Sequence, residues 1–330
     1  MKAIAYTKYG PPDVLQIKEI EKPKPGDNEI LIRIHAVEAA KADCEMRGSR
    51  FAVKWFWLPM RIAMGVITPR KQILGGYFAG TVAAVGHTVS KFRQGDPVFG
   101  TTRLRFGAYG EYVCLPASYT IVPKPRNMSF VEAAAVPLGG LNALHFMEKA
   151  NIRYGEKVLI NGAGGSIGTF AVQIAKAMGA EVTAVDSAIK KEMLLRIGAD
   201  HFFDYTREDF PKSDQTYDVI FNMVARSAYS KWIGLLNHNG RYLMGNPRIS
   251  DMLRSVITSV FTNKTAMFAF AGEKEEELFQ LKEMIETGKI RSVVDKIYPP
   301  EQAVEAHRRV ETEQRVGIVV IRMDNWVALS

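Results

Sequence analysis

The sequence predicts an α/β protein, with a doubly wound parallel sheet covered by helices and a second, β-rich domain beside it. Three observations carry the prediction. From about residue 124, short apolar runs alternate with segments of helical period, as a parallel sheet with crossover helices requires. Before that point short strands follow one another, separated by Gly/Pro turns, which is the grammar of an antiparallel unit. The 330 residues also exceed one ordinary core, since domains hold roughly 100–200 residues each.

In the first part, MKAIAY, VLQIKEI, EILIRIHAV, FAGTVAAVG and EYVCLPA read as strands, with YGPPD, KPKPGDN, RQGD and FGAYG as turns. Their spacing suits Greek-key or barrel-like packing. FVEAAAVPLGGLNALHFMEKA has helical period, and Ser129 with Glu132 three residues on forms a capping box. Strand KVLING, helix SIGTFAVQIAKAM, strand EVTAVD, helix IKKEMLLRIG and strand HFFDY follow. YDVIFNMV and GRYLMGN are further strands around the helix SKWIGLLN. From about residue 272 come two helical segments, EKEEELFQLKEMIETGKI and PPEQAVEAHRRV, and a last strand, GIVVIRM. The expected domains are 1–123 with 272–330, and 124–271 between them.

Composition excludes several function classes. The net charge of +8 favours anionic ligands, and the densest basic stretch is Arg47 to Lys71. No nucleic-acid-binding motif accompanies it, so no such partner is expected. Two cysteines, Cys44 and Cys114, exclude a disulfide framework and a Cys-rich structural zinc site. They suit a reducing compartment, the cytoplasm. The N-terminus reads as a strand, not a signal peptide. The most apolar stretch, Trp55 to Ile67, contains Pro59 and Arg61 and falls short of the ~20 residues that span a bilayer, so no stable membrane insertion is expected. Its aromatic residues suit the wall of a substrate cleft, a membrane or partner surface, or packing within their own domain.

The chemistry lies in INGAGGSIG. Gly162 leads into Ala163-Gly164-Gly165-Ser166-Ile167-Gly168, an A-x-G-x-x-G turn between a strand and a helix. In a Rossmann sheet that turn binds a dinucleotide: one glycine admits the pyrophosphate, another lets helix and strand pack, and the helix N-terminus presents free N–H groups. Asp186 ends the next strand, where a carboxylate takes the ribose hydroxyls. Asp186 favours a free 2′-hydroxyl, whereas Ser187, Lys190 and Lys191 would suit a 2′-phosphate or belong to a solvated helix face; Tyr205 is a candidate near the adenosine end. Both NADP(H) and NAD(H) stay open.

With those residues stand KADCEMRG, ILGGYFAGTVAAVG, GDPVFG, FGAYGEYVCLPA, GADHFFDY and ETGKI followed by VVDKIYPPEQAVEAHRRVE. Together, from Met1 to about Arg322, they make the chain resemble the medium-chain dehydrogenase/reductase superfamily, in its zinc-independent quinone-oxidoreductase-like branch. The resemblance implies a GroES-like catalytic domain around a Rossmann domain. It also implies hydride transfer from NADPH or NADH, with a slight lean to NADP(H), to a small lipophilic quinone, enone or other activated carbonyl, in a homodimer. NKTAMFAFAG resembles the edge strand through which such dimers pair.

Zinc-dependent relatives carry Cys, Gly-His-Glu and Cys where this chain has Ala40, Gly75-Gly76-Tyr77 and Leu138. No metal is therefore expected. By the same alignment Asp43, Tyr77 and Lys41 line the cleft near the nicotinamide. Tyr77 or a water protonates the product, or Tyr77 packs beneath the cleft; Asp43 orients backbone and hydroxyls. Leu138 and Asn142, with Gly139 and Gly140, border the cofactor. Asn222 and Val224 stand where relatives hold the carboxamide side, although FNMVARSAYS departs from the usual aspartate and glycine there. RVGIVVI departs from the usual Gly-Lys near the end. The rival readings are an alcohol dehydrogenase-like enzyme and a nucleotide-binding redox sensor with little turnover.

Overall fold

The computed structural model describes residues 1–51, 53–207, 215–225, 227–269 and 272–326. The expected domain seam at 271 and residues 270–271 of NKTAMFAFAG lie outside the described residues.

The first unit contains β1 (Lys2–Ala5), β2 (Gln16–Glu19), β3 (Glu29–Glu38), α1 (Lys41–Gly48), α2 (Trp57–Met64), β4 (Tyr77–Val85), β5 (Pro97–Thr101), β6 (Tyr112–Pro116) and β7 (Ile121–Pro123). β3 is its spine. Ile30, Ile32 and Ile34 alternate along it and are all buried, the period-2 pattern of a strand with one face in the core. It pairs with both β4 and β6.

The second unit follows as α3 (Phe130–Ala134), α4 (Pro137–Ala150), β8 (Lys157–Asn161), α5 (Ser166–Ala177), β9 (Glu181–Asp186), α6 (Lys191–Arg196), β10 (His201–Asp204), β11 (Tyr217–Asn222), α7 (Tyr229–Gly234), β12 (Leu236–Met244), α8 (Ile249–Phe261) and β13 (Thr265–Phe268). Its strands form a six-stranded, wholly parallel sheet in the order β10-β9-β8-β11-β12-β13. Strand order reverses between β8 and β11, so a crevice opens at their carboxyl ends, where ligands bind in such sheets.

The chain then returns through α9 (Glu275–Glu286), β14 (Val294–Tyr298), α10 (Ala303–Glu311) and β15 (Ile318–Arg322). β15 pairs antiparallel with β3, placing Val320 opposite Glu38, and so completes a seven-stranded sheet with β14 at its edge. One apolar core runs across both sheets: Ala36, Ala79, Phe99 and Val122 of the first pack in the same cluster as Val158, Ile160 and Phe221 of the second.

Several elements differ from expectation, among them strands β5, β7 and β14, which were not expected as strands. The single helix expected over 130–150 is two, α3 and α4, because Pro137 has no N–H to continue the ladder. The Ser129 cap is as expected, with Ser129 Oγ accepting from Glu132 N at 3.2 Å and Ser129 N donating to the Glu132 carboxylate at 2.8 Å. Helices α1 and α8 appear where no helix was expected. α8 is inverted: Asp251, Ser255 and Thr258 are buried, while Ile249, Leu253, Val256, Ile257, Val260 and Phe261 are exposed.

Candidate dinucleotide and hydride-transfer site

The glycine-rich turn leaves β8 at Asn161. Gly162 has φ +84°, which glycine alone adopts without strain, and its N–H donates to Val185 O at 3.0 Å. A Cβ on Gly164 would lie 2.2 Å from Lys190 Cδ, and one on Gly168 would lie 2.3 Å from Gly162 O. Backbone packing therefore demands glycine at 168, whereas at 164 a side chain would have to displace the buried Lys190. Gly165 is different. Its φ of −88° and ψ of −179° are open to any residue, and the nearest atom to a Cβ there is 3.8 Å away. Neither strain nor packing requires glycine at 165, so its bare surface leaves room against the start of α5. No side chain caps that end, and its first N–H groups lack helical acceptors. An open, uncapped helix start is an anion cradle, and the residues present fit a dinucleotide pyrophosphate.

The structure shows what surrounds the turn. Asp186 is buried, with Oδ2 accepting from Gly164 N at 2.8 Å and Oδ1 accepting from Ser187 N at 2.8 Å. It also pairs with Lys190 Nζ at 2.9 Å, and Lys190 is itself only 5% exposed. Lys190 is therefore not on a solvated face: it and Asp186 are bonded to each other and brace the turn. Lys191 and Tyr205 are exposed beside them. Val224 lies over Gly162, 3.3 Å from where a Cβ would be, because β11 and β8 are neighbours. Asn222 is absorbed by the fold. Its Oδ1 accepts from Asn161 Nδ2 at 2.8 Å and from Val224 N at 3.1 Å, and its Nδ2 donates to Ser227 Oγ at 2.6 Å.

Other expected site residues have partners within the chain. Gly139 is close-packed, since a Cβ there would lie 2.3 Å from Ser166 O, and Gly140 abuts Leu281. The Asn142 amide donates to Leu138 O of its own helix at 2.9 Å. Lys41 is exposed and ion-paired with Glu313. That same glutamate, with Asp186, raises the pKa of Tyr205 after burial does, so Lys41 pairs with a charge that lies within range of Tyr205.

Tyr77 and Thr101 are register partners on β4 and β5. Both hydroxyls donate to one carboxylate: Tyr77 Oη to Glu273 Oε1 at 3.1 Å and Thr101 Oγ1 to Glu273 Oε2 at 2.9 Å. Glu273 holds this place with φ +47°, an αL conformation costly for a non-glycine residue. Burial first, then the Glu273 charge, pushes the Tyr77 hydroxyl well above its ordinary range. A phenol so perturbed, with its O–H engaged by a carboxylate, is a weakened acid, which favours water over Tyr77 among the two expected proton donors. Asp43 is buried in α1, with Oδ1 accepting from Gly75 N at 3.0 Å and Oδ2 from Ala40 N at 3.1 Å. Burial lifts its pKa to about 6 against these bonds and one from Tyr109. It orients the backbone leading into Tyr77.

Sequence reading missed Glu273, Glu38 and Arg315. Glu38, at the end of β3, is wholly buried, and Oε1 accepts from Ser166 Oγ at 2.7 Å. Burial raises its pKa to about 8. Arg315 opens RVGIVVI, whose departure from the usual Gly-Lys was noted without a role for the arginine, and Glu273 opens a segment read only as helix; a charged residue ending an apolar strand was the available signal for Glu38.

The aromatic insert bridges both units. Trp55 Nε1 donates to Pro247 O at 3.3 Å, beyond β12, while Met60 and Met64 pack in the core of the first unit. Trp57, Leu58 and Ile62 stay exposed. Among the described residues, no group of three or more His, Cys, Asp or Glu is arranged to hold a metal, and no helix is long and apolar enough to cross a membrane.

Comparison with known proteins agrees with this geometry. Residues 26–126 match the alcohol dehydrogenase GroES-like domain family, and residues 197–321 match a family described as zinc-binding dehydrogenase. The chain is 32% identical to quinone oxidoreductase of Sus scrofa, over 94% of each chain. It belongs to the quinone-oxidoreductase-like branch of the medium-chain dehydrogenase/reductase superfamily. It is an NAD(P)H-dependent oxidoreductase. It is also 29% identical to 2-methylene-furan-3-one reductase of Solanum lycopersicum, over 97% of this chain and 79% of that one. The solved quinone oxidoreductase of Coxiella burnetii superposes with a TM-score of 0.85 at 27% identity, covering 98% of this chain and 99% of that chain.

Proposed function

We propose that this chain reduces small lipophilic quinones, enones or related activated carbonyls with NAD(P)H and without zinc. The observation that carries the reading is Gly165: it keeps open the approach to an uncapped helix N-terminus where nothing in the fold itself requires glycine. The relatives support the acceptor class, since quinones and enones share a conjugated carbonyl that accepts hydride. The dinucleotide supplies that hydride when bound. The turn from Gly162 to Gly168 holds its pyrophosphate, Val224 borders the same turn, and Tyr205 and Lys191 flank the adenosine end.

Lys190 neutralises Asp186, so a 2′-phosphate meets less repulsion there than a lone carboxylate would impose; this supports NADP(H), with NAD(H) also accepted. Water supplies the product's proton, because Tyr77 is engaged by Glu273. Trp55 and its neighbours form a cleft wall between the two units. The sheet memberships support a catalytic domain of 1–123 with 272–330 and a cofactor domain of 124–271. The exposed apolar face of α8 beside the edge strand β13 supports a homodimer. Two free cysteines support a reducing compartment, the cytoplasm.

The test is oxidation of NADPH and NADH with panels of quinones and enones by metal-stripped protein. Turnover unchanged by a chelator is expected. Tight dinucleotide binding with no acceptor consumed, or activity that returns only with zinc, overturns the reading.

A further inference from the structure

Beside the open turn lies a pair of buried charges with unfinished bonding. Ser166, the first residue of α5, donates its hydroxyl to Glu38 Oε1 at 2.7 Å and lies 3.5 Å from Arg315 Nη1. Glu38 is 0% exposed and Arg315 5%. Glu38 Oε2 and Arg315 Nε are both buried without a hydrogen-bond partner. Among the described residues, no carboxylate stands within ion-pair distance of Arg315. The cation therefore sits at the anion cradle without a closely paired counter-ion, and a carboxyl group sits there too.

Those two groups conflict when a dinucleotide arrives. A pyrophosphate brings negative charge to Ser166 and the α5 N-terminus, where Arg315 attracts it and an ionised Glu38 repels it. In a site this buried, the repulsion is poorly screened. A protonated Glu38 removes the repulsion and turns Oε2 from a partnerless acceptor into an O–H donor.

Resting on the dinucleotide reading of the turn, we propose that Glu38 and Arg315 form a protonation-gated pair: Arg315 supplies the counter-charge to the pyrophosphate, and Glu38 must carry a proton for the dinucleotide to stay bound, taking it from bulk water when it starts ionised. The electrostatic setting supports this. Burial is the largest influence holding Glu38 toward its neutral form, up to about 8; Ser166 and Arg315 oppose it, and Asp43 adds to it. Tyr77 and Tyr109 also lie within range of Glu38 but are held neutral by their own burial. Across the turn, Asp186 and Lys190 cancel each other. Glu38 is thus the group at the cradle poised to change charge just above neutral pH.

The experiment is calorimetric titration of the full chain with NADH, which lacks a titrating 2′-phosphate, and with NADPH. It runs from pH 6 to 9.5 in buffers of differing ionisation heat, so that protons taken up on binding are counted directly. Wild-type affinity should be level to about pH 7 and fall about tenfold per pH unit above about 8, with uptake rising toward one proton. Glu38→Gln should bind with no uptake and no such fall. Arg315→Met should bind about tenfold to a hundredfold more weakly at pH 7. Wild-type binding that is independent of pH and takes up no proton overturns the gate, as does a slope that survives in Glu38→Gln. If neither dinucleotide binds folded wild-type protein at any pH, the dinucleotide reading itself falls, and the gate with it.

Discussion

Replacing Gly165 with alanine separates a glycine kept for ligand approach from one kept for folding. At this position φ is −88°, and a Cβ would have no neighbour nearer than 3.8 Å. Alanine should therefore fold without strain. It also restricts the unfolded chain, which favours folding by about 0.4–1 kcal/mol, but alanine is a poorer N-cap than glycine by a similar amount, so stability should change little. Gly168 is the control, because a Cβ there would lie 2.3 Å from Gly162 O and 2.5 Å from Ala163 O. Forcing that contact should cost about 1–3 kcal/mol or more. Binding should follow a different order. In Gly165→Ala the methyl occupies the space against the uncapped start of α5, and the dinucleotide must withdraw from N–H groups it would otherwise meet. A loss of about 1.5–3 kcal/mol is about tenfold to more than a hundredfold in Kd. The assay is denaturant unfolding of both variants, paired with fluorescence titration by NADPH and NADH. The expected pattern is Gly165→Ala stable and weak-binding, and Gly168→Ala destabilised. Wild-type affinity in Gly165→Ala would refute the cradle, and destabilisation matching Gly168→Ala would refute the claim that the position is free.

Other consequences can be measured directly. Tyr77→Phe should keep kcat within about tenfold, since a lost general acid costs about 10²–10⁴; a larger fall with KM unchanged would restore Tyr77 as the proton donor. His307 is buried against Cys44 and Tyr109, and burial holds its pKa down to about 3. Its folded pKa lies below the unfolded value near 6.5, so the unfolded chain takes up a proton that the folded chain refuses, and stability falls as pH drops between these values. Glu38 and Asp43, whose folded values are raised, act in the opposite sense, so the comparison is with His307→Gln. The unfolding free energy of wild type relative to that variant should fall by about 2 kcal/mol from pH 7 to 5, and a constant difference would show that His307 does not titrate as argued. Leu253 and Val256 are 65% and 60% exposed on α8. Changing both to aspartate should leave chain stability within about 0.5 kcal/mol per site and convert a dimer to a 36.8 kDa monomer by light scattering; an unchanged mass would remove α8 from the interface.

Periodicity and punctuation determined the architecture. The alternation from KVLING to GRYLMGN required a parallel sheet, and the turn after KVLING had to lie at its carboxyl edge, because local backbone chemistry sets both. The glycines at 162 to 168 were legible for the same reason: positive φ, close packing and bare surface are demands on single residues. Tertiary structure decided the rest. Asp186 and Lys190 are four residues apart, yet their bond to each other, and to Gly164, depends on how β9 packs beside the turn. Glu38, Ser166 and Arg315 come from three distant segments that meet only when β15 returns to pair with β3. Glu273 reaches Tyr77 across 196 residues of chain. The inverted face of α8 shows the same limit: its period is written in the sequence, but which side of it is covered depends on what packs there. Charge is long-ranged and burial is collective, so the partners that set a carboxylate's ionisation cannot be read from its neighbours in the chain.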